Sequence, residues 1–267
     1  MDKTSTITLA SGNEMPVLGL GTWQLTNDTA GTVQAAIELG YPMIDTSGDY
    51  GTQPGIREGI RRSGINRDGI YITTKVEEDE DAYQSTVKNL HELGSDYANL
   101  MLIHRPPKTG VGEELWEGLR RARDEGLARD IGVSNYSIEQ IQELAEKSGE
   151  MPAVNQIEWS PFGYSDHMRS FCRDNNIVLQ AYSPLTRTKR LDNEMLLEIA
   201  AQFGKEPAQI LIRWNLQHGT VPLPKANQKQ HLASNINVFD FELTEYEMTK
   251  LDELNEHYSA LGGLLYV

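Results

Sequence analysis

Short apolar segments alternate along this chain with longer stretches in which apolar residues recur every three or four positions. The first pattern is typical of buried strands and the second of amphipathic helices. The predicted strands are residues 17–21, 43–45, 71–75, 100–103, 130–133, 153–157, 178–181 and 221–223. The helices predicted between them include residues 29–39, 82–93, 114–125, 138–147, 167–175 and 195–203.

This regular alternation predicts an α/β fold, a (β/α)8 TIM barrel, because parallel strands each need a crossover connection. Barrels of this kind commonly form one domain of about 250 residues, so we expect residues 1–267 to form a single domain. Residues 6–15 are predicted to form an N-terminal β-hairpin that caps the barrel bottom. Residues 244–257 indicate an extra C-terminal helix, capped by Thr244 and followed by a tail. A doubly wound sheet is the alternative.

Composition describes an ordinary globular protein, with 39% hydrophobic and 24% charged residues. The net charge of −15 disfavours nucleic acid or an anionic membrane as a partner. The sequence has no signal-peptide pattern and no membrane-spanning apolar run, so a cytoplasmic protein is expected. Cys172, the single cysteine, excludes an intrachain disulfide and is expected to be a buried thiol. Residues 77–81 form the one dense acidic run, a pattern typical of a solvated loop or helix start.

Polar and aromatic side chains lie at or just beyond the ends of the predicted strands. In barrels of this kind, active sites assemble at those ends. Any one of these residues has a structural explanation, such as a helix cap or a hydrogen-bonded core histidine. Their joint placement favours a functional site. The residues are Trp23, Asp45, Lys75, His104, Ser134, Asn135, Gln156, Tyr182 and Lys225.

Asp45, Tyr50, Lys75 and His104 form a set suited to protonating a carbonyl while it receives hydride. Negative charge builds on the oxygen, so catalysis needs a proton donor and positive potential there. Tyr50 is the expected donor. An ammonium about 4 Å away, in a dielectric of about 20, stabilises a phenolate by roughly 4 kcal/mol, so Lys75 is expected to lower the pKa of Tyr50. Asp45 keeps Lys75 charged and moderates its effect, and a neutral His104 is expected to donate a hydrogen bond to the carbonyl.

Eight segments of the chain resemble the aldo-keto reductase superfamily, and its bacterial diketogluconate-reductase-like branch in particular, over nearly the whole length. They are PVLGLGTWQ at 16–24, MIDTSGDYG at 43–51, ITTKV at 72–76, LIHRP at 102–106, IGVSNYS at 131–137, VNQIEWSPF at 154–162, QAYSPL at 180–185 and VPLPKA at 221–226. The resemblance implies a barrel enzyme that reduces aldehydes or ketones with a nicotinamide cofactor, NADPH or NADH, bound without a Rossmann domain. It also implies a monomer and no metal.

The resemblance further implies which residues hold the cofactor. Ser134, Asn135 and Gln156 match groups that bind the nicotinamide carboxamide, and Tyr182 matches the aromatic face on which the ring stacks. NADPH-preferring relatives commonly place an arginine where this chain has His231, so we expect a weakened NADPH preference and some use of NADH. The expected cofactor contacts are Gly21, Thr22, Trp23, Asp45, Ser134, Asn135, Gln156, Tyr182, Ser183, Leu185, Lys225, Ala226, His231 and Asn235.

The substrate is expected to be a small or medium carbonyl compound held by Trp23, Tyr50 and His104. An imine needs the same hydride and proton and stays an alternative. The loop 105–112 is expected to add little wall to the pocket.

The tail offers candidate covers for the pocket, namely Leu264, Leu265 and Tyr266. Two other functions remain open. One is a non-catalytic redox regulator that binds a nicotinamide nucleotide. The other is a Schiff-base enzyme using Lys75, which Asp45 disfavours by keeping the amine charged.

Overall fold

The computed structural model describes residues 1–25 and 27–264, and its centre is a ring of eight parallel strands that follows an antiparallel hairpin of two. In the ring, each strand pairs with its neighbours in sequence. Each of the predicted strand segments overlaps a strand of this ring. The strands are β1 Thr6–Thr8, β2 Glu14–Pro16, β3 Leu20–Gly21, β4 Met43–Asp45, β5 Tyr71–Val76, β6 Ala98–Ile103, β7 Ala128–Ser134, β8 Val154–Glu158, β9 Val178–Tyr182 and β10 Val221–Pro222.

Two backbone hydrogen bonds close the ring between its first and last strands. The amide of Gly19 donates to the carbonyl of Pro222 at 3.2 Å, and the amide of Gly21 donates to that of Pro224 at 3.2 Å. A Cβ at Gly21 would lie 2.7 Å from the carbonyl oxygen of Leu223, so this close approach requires glycine. A closed parallel ring is a (β/α)8 barrel, as predicted, and the doubly wound alternative is wrong.

Helices surround the ring, and the six that apolar spacing predicted lie within one residue of their predicted bounds. Several begin where a side chain caps the first turn: Asp81 accepts from the amide of Gln84 at 2.9 Å, and Ser137 forms a capping box with Gln140. The helices are α1 Thr29–Leu39, α2 Gln53–Ser63, α3 Ala82–Leu93, α4 Glu113–Asp124, α5 Ile138–Ser148, α6 Asp166–Asp174, α7 Glu194–Phe203, α8 Pro207–Gln217, α9 Lys229–Ile236 and α10 Glu245–Asp252.

The extra C-terminal helix, α10, begins after Thr244 as predicted but ends at Asp252, so its predicted extension to residue 257 is wrong. After Asp252 the backbone bonds become those of tighter turns, from the Leu254 amide to Leu251 and from the Asn255 amide to Asp252, and His257 further on has a left-handed backbone with φ 54°. The chain then turns toward the end of β8, where the amides of Glu256 and Tyr258 both donate to the carbonyl of Phe162, at 3.0 and 2.9 Å. The tail therefore runs across the barrel instead of continuing along a helix.

The N-terminal hairpin turns at Gly12, whose φ is 88°, and packs against the barrel. Met15 is fully buried in a cluster with Val154 and Val178, which begin β8 and β9. The hairpin therefore covers the bottom of the barrel, as predicted, and the opposite end is left for polar side chains. Cys172 is buried, also as predicted. Within residues 1–25 and 27–264, no helix is long and apolar enough to cross a membrane.

Candidate active site

A cavity of about 680 Å³ opens where the strands of the barrel end. Twelve of the residues predicted from the sequence line it: Gly21, Trp23, Asp45, Tyr50, His104, Ser134, Asn135, Gln156, Tyr182, Ser183, Leu185 and Lys225. The structure thus brings most of the predicted set to one place. Thr22 and Lys75 are fully buried and are not among the lining residues. Three further predicted residues follow β10 and also lie outside the lining: Ala226 and Asn235 are buried, and His231 is exposed.

Lys75 and Asp45 form a buried ion pair beneath the cavity floor. The Lys75 ammonium lies 3.0 Å from both carboxylate oxygens of Asp45 and donates to the carbonyl oxygen of Thr46 at 2.7 Å. The side chains are 0% and 5% exposed. Gln156 donates to the same carboxylate at 2.7 Å. A charged amine held by three oxygens is a poor nucleophile, so the arrangement argues against a Schiff-base role for Lys75.

Tyr50 ends a short 3-10 turn, Gly48–Tyr50, that follows β4. The Lys75 nitrogen lies 5.1 Å from the centroid of the Tyr50 ring, and the rings of Tyr50 and His104 meet edge to face with centroids 5.7 Å apart. Tyr50 and His104 are therefore neighbours on the cavity wall, and Lys75 is buried beside Tyr50.

The predicted lowering of the Tyr50 pKa by Lys75 is wrong for this structure. Burial, reinforced by the negative charges of Asp45, Asp49 and Glu77, raises the pKa of Tyr50 well above its ordinary value. Lys75 does not offset this rise, because the carboxylate of Asp45 already compensates its charge at 3.0 Å. Tyr50 is consequently a protonated phenol at neutral pH.

His104 follows β6 and is held by a carboxylate that the sequence reading did not place in the site. Its Nδ1 lies 2.8 and 2.9 Å from the two carboxylate oxygens of Glu77. Ser47 also donates to Glu77, at 2.8 Å, and the Arg105 guanidinium lies 3.2 Å from it. Only 13% of the Glu77 side chain is exposed, so the prediction of a solvated acidic run is wrong for Glu77, although Asp81 in the same run does start α3.

The ends of β7, β8 and β9 supply a cluster of linked polar groups. Asn135 donates to the carbonyl oxygen of His104 at 3.0 Å and accepts from the hydroxyl of Tyr182 at 2.7 Å. The amide nitrogen of Gln156 donates to Asp45 and Gln180, at 2.7 and 2.8 Å. Its oxygen accepts no hydrogen bond from the described residues, so it is an open acceptor in the cavity wall. This cluster fits an amide-bearing ring beside Tyr182.

Cationic side chains gather at another part of the cavity wall. Arg187 stacks on the ring of Trp23, with its guanidinium carbon 3.9 Å from the centroid. Desolvation and the charge of Arg187 lower the pKa of Lys225, and Lys189 lies on the same wall. No carboxylate of residues 1–25 or 27–264 forms an ion pair with these three cations. In a chain of net charge −15, uncompensated cations in a cavity indicate a site for an anion such as a phosphate.

Left-handed backbone conformations are concentrated around the cavity. Among the described residues, eight that are not glycine have positive φ, and five of those line the cavity. Such conformations cost free energy in ordinary residues and accumulate at binding and catalytic sites. The five are Gln24, Asn135, Ser183, Arg187 and Thr188.

The tail reaches the cavity through a different residue from those predicted. Leu261 lines the cavity, whereas Leu264 packs against the hydrophobic core; Leu265 and Tyr266 lie outside the described residues. The carboxylate of Glu158, at the end of β8, fixes the tail by accepting from the Ser259 hydroxyl at 2.6 Å and the Ala260 amide at 2.7 Å.

Arg105 lines the cavity, so the expectation that the loop after His104 adds little wall is wrong at its first residue. Glu77 had a usable signal in the sequence. Side chains alternate along a strand, so Glu77 belongs to the same face as Lys75. Arg187 and Leu261 carry no comparable signal, because they reach the cavity from a loop and from the tail through tertiary structure alone. The same holds for Glu158, which binds the tail.

Comparisons with known proteins agree with this architecture. The model of the Aldo/keto reductase family matches residues 17–256. A glyoxal reductase of Bacillus subtilis is 38% identical over 257 residues, which cover 94% of this chain and 93% of the relative. A 9,11-endoperoxide prostaglandin H2 reductase of Trypanosoma cruzi is 40% identical over 266 residues, covering 96% and 93%.

Among solved structures, an aldo-keto reductase of Bombyx mori in complex with NADP shares 31% identity and a TM-score of 0.91, over 97% of this chain and 95% of that one. An aldo-keto reductase from a Medee basin deep-sea metagenome library gives a TM-score of 0.92 at 32% identity, over 97% and 98%. Family model, relatives and solved structures all cover nearly the full length of the chain. The chain therefore belongs to the aldo/keto reductase family.

Proposed function

We propose that this protein is an NAD(P)H-dependent carbonyl reductase in which Tyr50 protonates the substrate oxygen. The observation that carries the proposal is the placement of Tyr50. It is a phenol whose pKa is raised well above its ordinary value, it lines the cavity beside His104, and a buried Lys75–Asp45 pair lies behind it. At neutral pH this phenol holds its proton, as a general acid for carbonyl reduction must.

The chain's own residues carry the proton and orient the reacting groups. A reduced nicotinamide, when bound, supplies the hydride. The Tyr50 hydroxyl gives its proton to the oxygen as the C=O bond is reduced, and His104 holds that oxygen in place. Lys75 and Asp45 contribute a fixed, compensated dipole that keeps Tyr50 in position. Trp23 supplies an aromatic wall of the cavity.

The polar cluster and the cations fit the two ends of a nicotinamide dinucleotide. Gln156, with its open oxygen, would accept from the carboxamide, together with Ser134 and Asn135, and Tyr182 would stack on the ring. Lys225 and the neighbouring Arg187 would bind phosphate, because no described carboxylate competes for them.

We further propose that NADPH is preferred over NADH by less than a hundredfold. His231, where an arginine is common in NADPH-preferring relatives, is exposed and presents an imidazole instead of a permanent charge. Fluorescence titration of both reduced nucleotides at neutral pH measures the ratio directly. His231→Arg is the matched variant and should tighten NADPH binding while leaving NADH binding unchanged. A wild-type ratio above about a hundredfold, or 2.7 kcal/mol, would contradict this part of the proposal.

The substrate we propose is a small or medium aldehyde or ketone. The wall includes Trp23 and Leu261 as apolar surfaces and Arg105 as a polar one. Since a relative at 38% identity is named a glyoxal reductase, dicarbonyl compounds are the first class to test. Cyclic imines belong in the same panel, because they need the same hydride and proton.

The decisive experiment follows oxidation of NADPH and NADH separately with a panel of aldehydes, diketones and cyclic imines. Tyr50→Phe removes one hydroxyl and should lower kcat about 10²- to 10⁴-fold while retaining cofactor binding. Tyr41→Phe is the matched control, because Tyr41 is buried away from the cavity and its hydroxyl donates to the carbonyl of Leu232 at 3.0 Å. Tight nucleotide binding without turnover of any carbonyl would refute the reductase and leave a binding protein.

A further inference from the structure

The Nδ1 nitrogen of His104 is surrounded by oxygen acceptors. Both carboxylate oxygens of Glu77 lie within 2.9 Å, the Ser47 hydroxyl is at 3.3 Å and the Asp49 carboxylate is at 3.7 Å. The Ser47 hydroxyl donates its hydrogen to Glu77, at 2.8 Å, and therefore faces the ring with a lone pair. A ring nitrogen in these surroundings carries a hydrogen.

This arrangement decides what the other ring nitrogen can do. A neutral histidine has one hydrogen, so a hydrogen on Nδ1 leaves Nε2 as an acceptor. The sequence-based expectation that a neutral His104 donates to the carbonyl is therefore incompatible with the geometry. Within residues 1–25 and 27–264 nothing hydrogen-bonds Nε2, and His104 lines the cavity. Nε2 can donate to a substrate oxygen there only if the ring is an imidazolium.

The charges around His104 favour that protonated form. The 3-10 turn after β4 contributes Asp49 and the phenol of Tyr50, the segment after β5 contributes Glu77, and Arg105 comes from the segment after β6. With a neutral ring, three carboxylates face the Arg105 guanidinium, because Glu78 also lies 3.4 Å from it. Protonation of His104 reduces the net charge of this group from −2 to −1.

Glu77 itself stays ionised in this setting. Burial alone would raise the pKa of its carboxyl, but the hydrogen bond and charge of His104, the hydrogen bond from Ser47 and the charge of Arg105 together lower it. The carboxylate is thus available as a permanent acceptor for the ring.

The chemistry of the site needs such a cation. Hydride addition leaves negative charge on the substrate oxygen, which requires positive potential nearby. Lys75 supplies little of it, because Asp45 lies 3.0 Å from its ammonium, and Arg105 is shared among Asp49, Glu77 and Glu78. His104 is the group in contact with the cavity that can add positive charge beside Tyr50.

We propose that Glu77 is a positioning residue of this active site: its carboxylate binds the Nδ1 hydrogen of His104 and holds the ring as an imidazolium, so that Nε2 donates a hydrogen bond to the substrate carbonyl oxygen. The inference rests on the proposed carbonyl reduction, since it assigns a role in that reaction. Tyr50 remains the group that transfers the proton, and His104 returns to the same imidazolium at the end of the turnover.

The first test observes the ring itself and needs no turnover. In protein labelled with ¹⁵N-histidine, the His104 signals are assigned by their loss in His104→Gln, and their nitrogen shifts are followed from pH 5 to 9 with and without bound nicotinamide nucleotide. We expect both nitrogens to be protonated at neutral pH in the wild type, and the ring to lose its charge at lower pH in Glu77→Gln. A neutral ring protonated on Nε2 in the wild type would overturn the proposal.

The second test is the pH profile of kcat/KM for carbonyl reduction. Because the imidazolium is lost as pH rises, Glu77→Gln should move the alkaline limb to lower pH by about one unit or more, which is about tenfold in kcat/KM at pH 8. The difference from the wild type should close toward pH 5.5. Glu77→Asp, which keeps the charge, should restore part of the profile.

Glu78→Gln is the matched control, because it removes one carboxylate from the neighbouring position, where Glu78 lies 3.4 Å from Arg105, without a contact to His104. Its profile should follow the wild type. If kcat/KM of Glu77→Gln falls by the same factor at every pH, the proposal is overturned and Glu77 has a purely structural role. If the pH profile of kcat/KM does not change, Glu77 has no role in the reaction. Failure of the reductase proposal is separate from both results, since it shows as absence of turnover in the wild type while the ring protonation stays measurable.

Discussion

Replacing Asp45 with asparagine leaves the Lys75 ammonium without its counter-charge inside the barrel. The side chain keeps its size and one carbonyl oxygen, so the change is close to a removal of charge alone. Lys75 is fully buried and retains neutral acceptors only, namely this oxygen and the carbonyl oxygen of Thr46 at 2.7 Å. We therefore expect Asp45→Asn to lower the free energy of unfolding.

The size of the loss follows from the geometry of the pair. At 3.0 Å and an effective dielectric of about 20, the attraction is about 5.5 kcal/mol. Removing one partner of a buried pair typically costs about 3–5 kcal/mol. The alternative for the protein is to take the proton off a lysine of ordinary pKa about 10.4, which costs about 4.6 kcal/mol at pH 7. Together the three figures put the loss between about 3 and 5.5 kcal/mol.

Urea unfolding followed by tryptophan fluorescence measures this loss, since Trp116, Trp159 and Trp214 are all buried. At pH 9.5 the difference in free energy of unfolding between the wild type and Asp45→Asn should be smaller. In the folded variant Lys75 gives up its proton, whereas in the unfolded variant it keeps it. Because the unfolded state binds more protons, the variant gains stability as pH rises. The double variant Asp45→Asn/Lys75→Met has no unpaired charge and should recover to within about 1 kcal/mol of the wild type.

The reasoning would be refuted by a loss below about 1 kcal/mol at pH 7, the range of an exposed ion pair. It would equally be refuted if the loss were the same at pH 7 and pH 9.5, because a buried unpaired ammonium must respond to pH. A double variant no more stable than Asp45→Asn would locate the effect in packing and not in charge.

Three further predictions address the barrel closure, the tail and the cations. Gly21→Ala places a Cβ 2.7 Å from the carbonyl oxygen of Leu223 and should destabilise the fold by about 1–3 kcal/mol; an unchanged urea midpoint would contradict the closure geometry. Glu158→Gln weakens the attachment of the tail, so limited proteolysis within residues 258–264 should accelerate and KM should rise more than kcat falls. Arg187→Gln removes an uncompensated cation and should weaken NADPH binding about tenfold in a fluorescence titration. Equal affinities of the wild type and the variant for NADPH would contradict this prediction.

The fold was predictable because its signals are local and repeated. Eight short apolar segments, six of them followed by one of these helical patterns, can be arranged as a parallel sheet in few ways. Helices with strong apolar spacing, such as α3 and α5, were predicted closely. The pattern did not single out α2, because two of its packing positions are glycines and only Ile56 and Ile60 add apolar contacts. A Cβ at Gly55 would lie 2.6 Å from Thr29 Cβ, and one at Gly59 would lie 2.7 Å from the carbonyl oxygen of Ala30.

The candidate site was predictable where strand position alone fixes a side chain. Asp45 and Lys75 lie on neighbouring parallel strands, so their meeting follows from the sheet. The direction of the Tyr50 pKa was not predictable in the same way, because it depends on how many carboxylates converge from different loops. Glu77 has a different status, because strand alternation places it on the same face as Lys75, whereas composition alone indicates a solvated acidic run at residues 77–81.

The tail of the barrel is fastened by a small number of contacts that are separate from the reacting groups. The carbonyl of Phe162 and the carboxylate of Glu158 hold it, and Leu261 beyond them lines the cavity. Tyr258 passes so close over Gly163 that a Cβ there would lie 2.0 Å from its carbonyl oxygen. Exchanging this one segment would therefore change the cavity wall at Leu261 and, under the proposed function, the range of substrates, while Tyr50 and His104 stay in place.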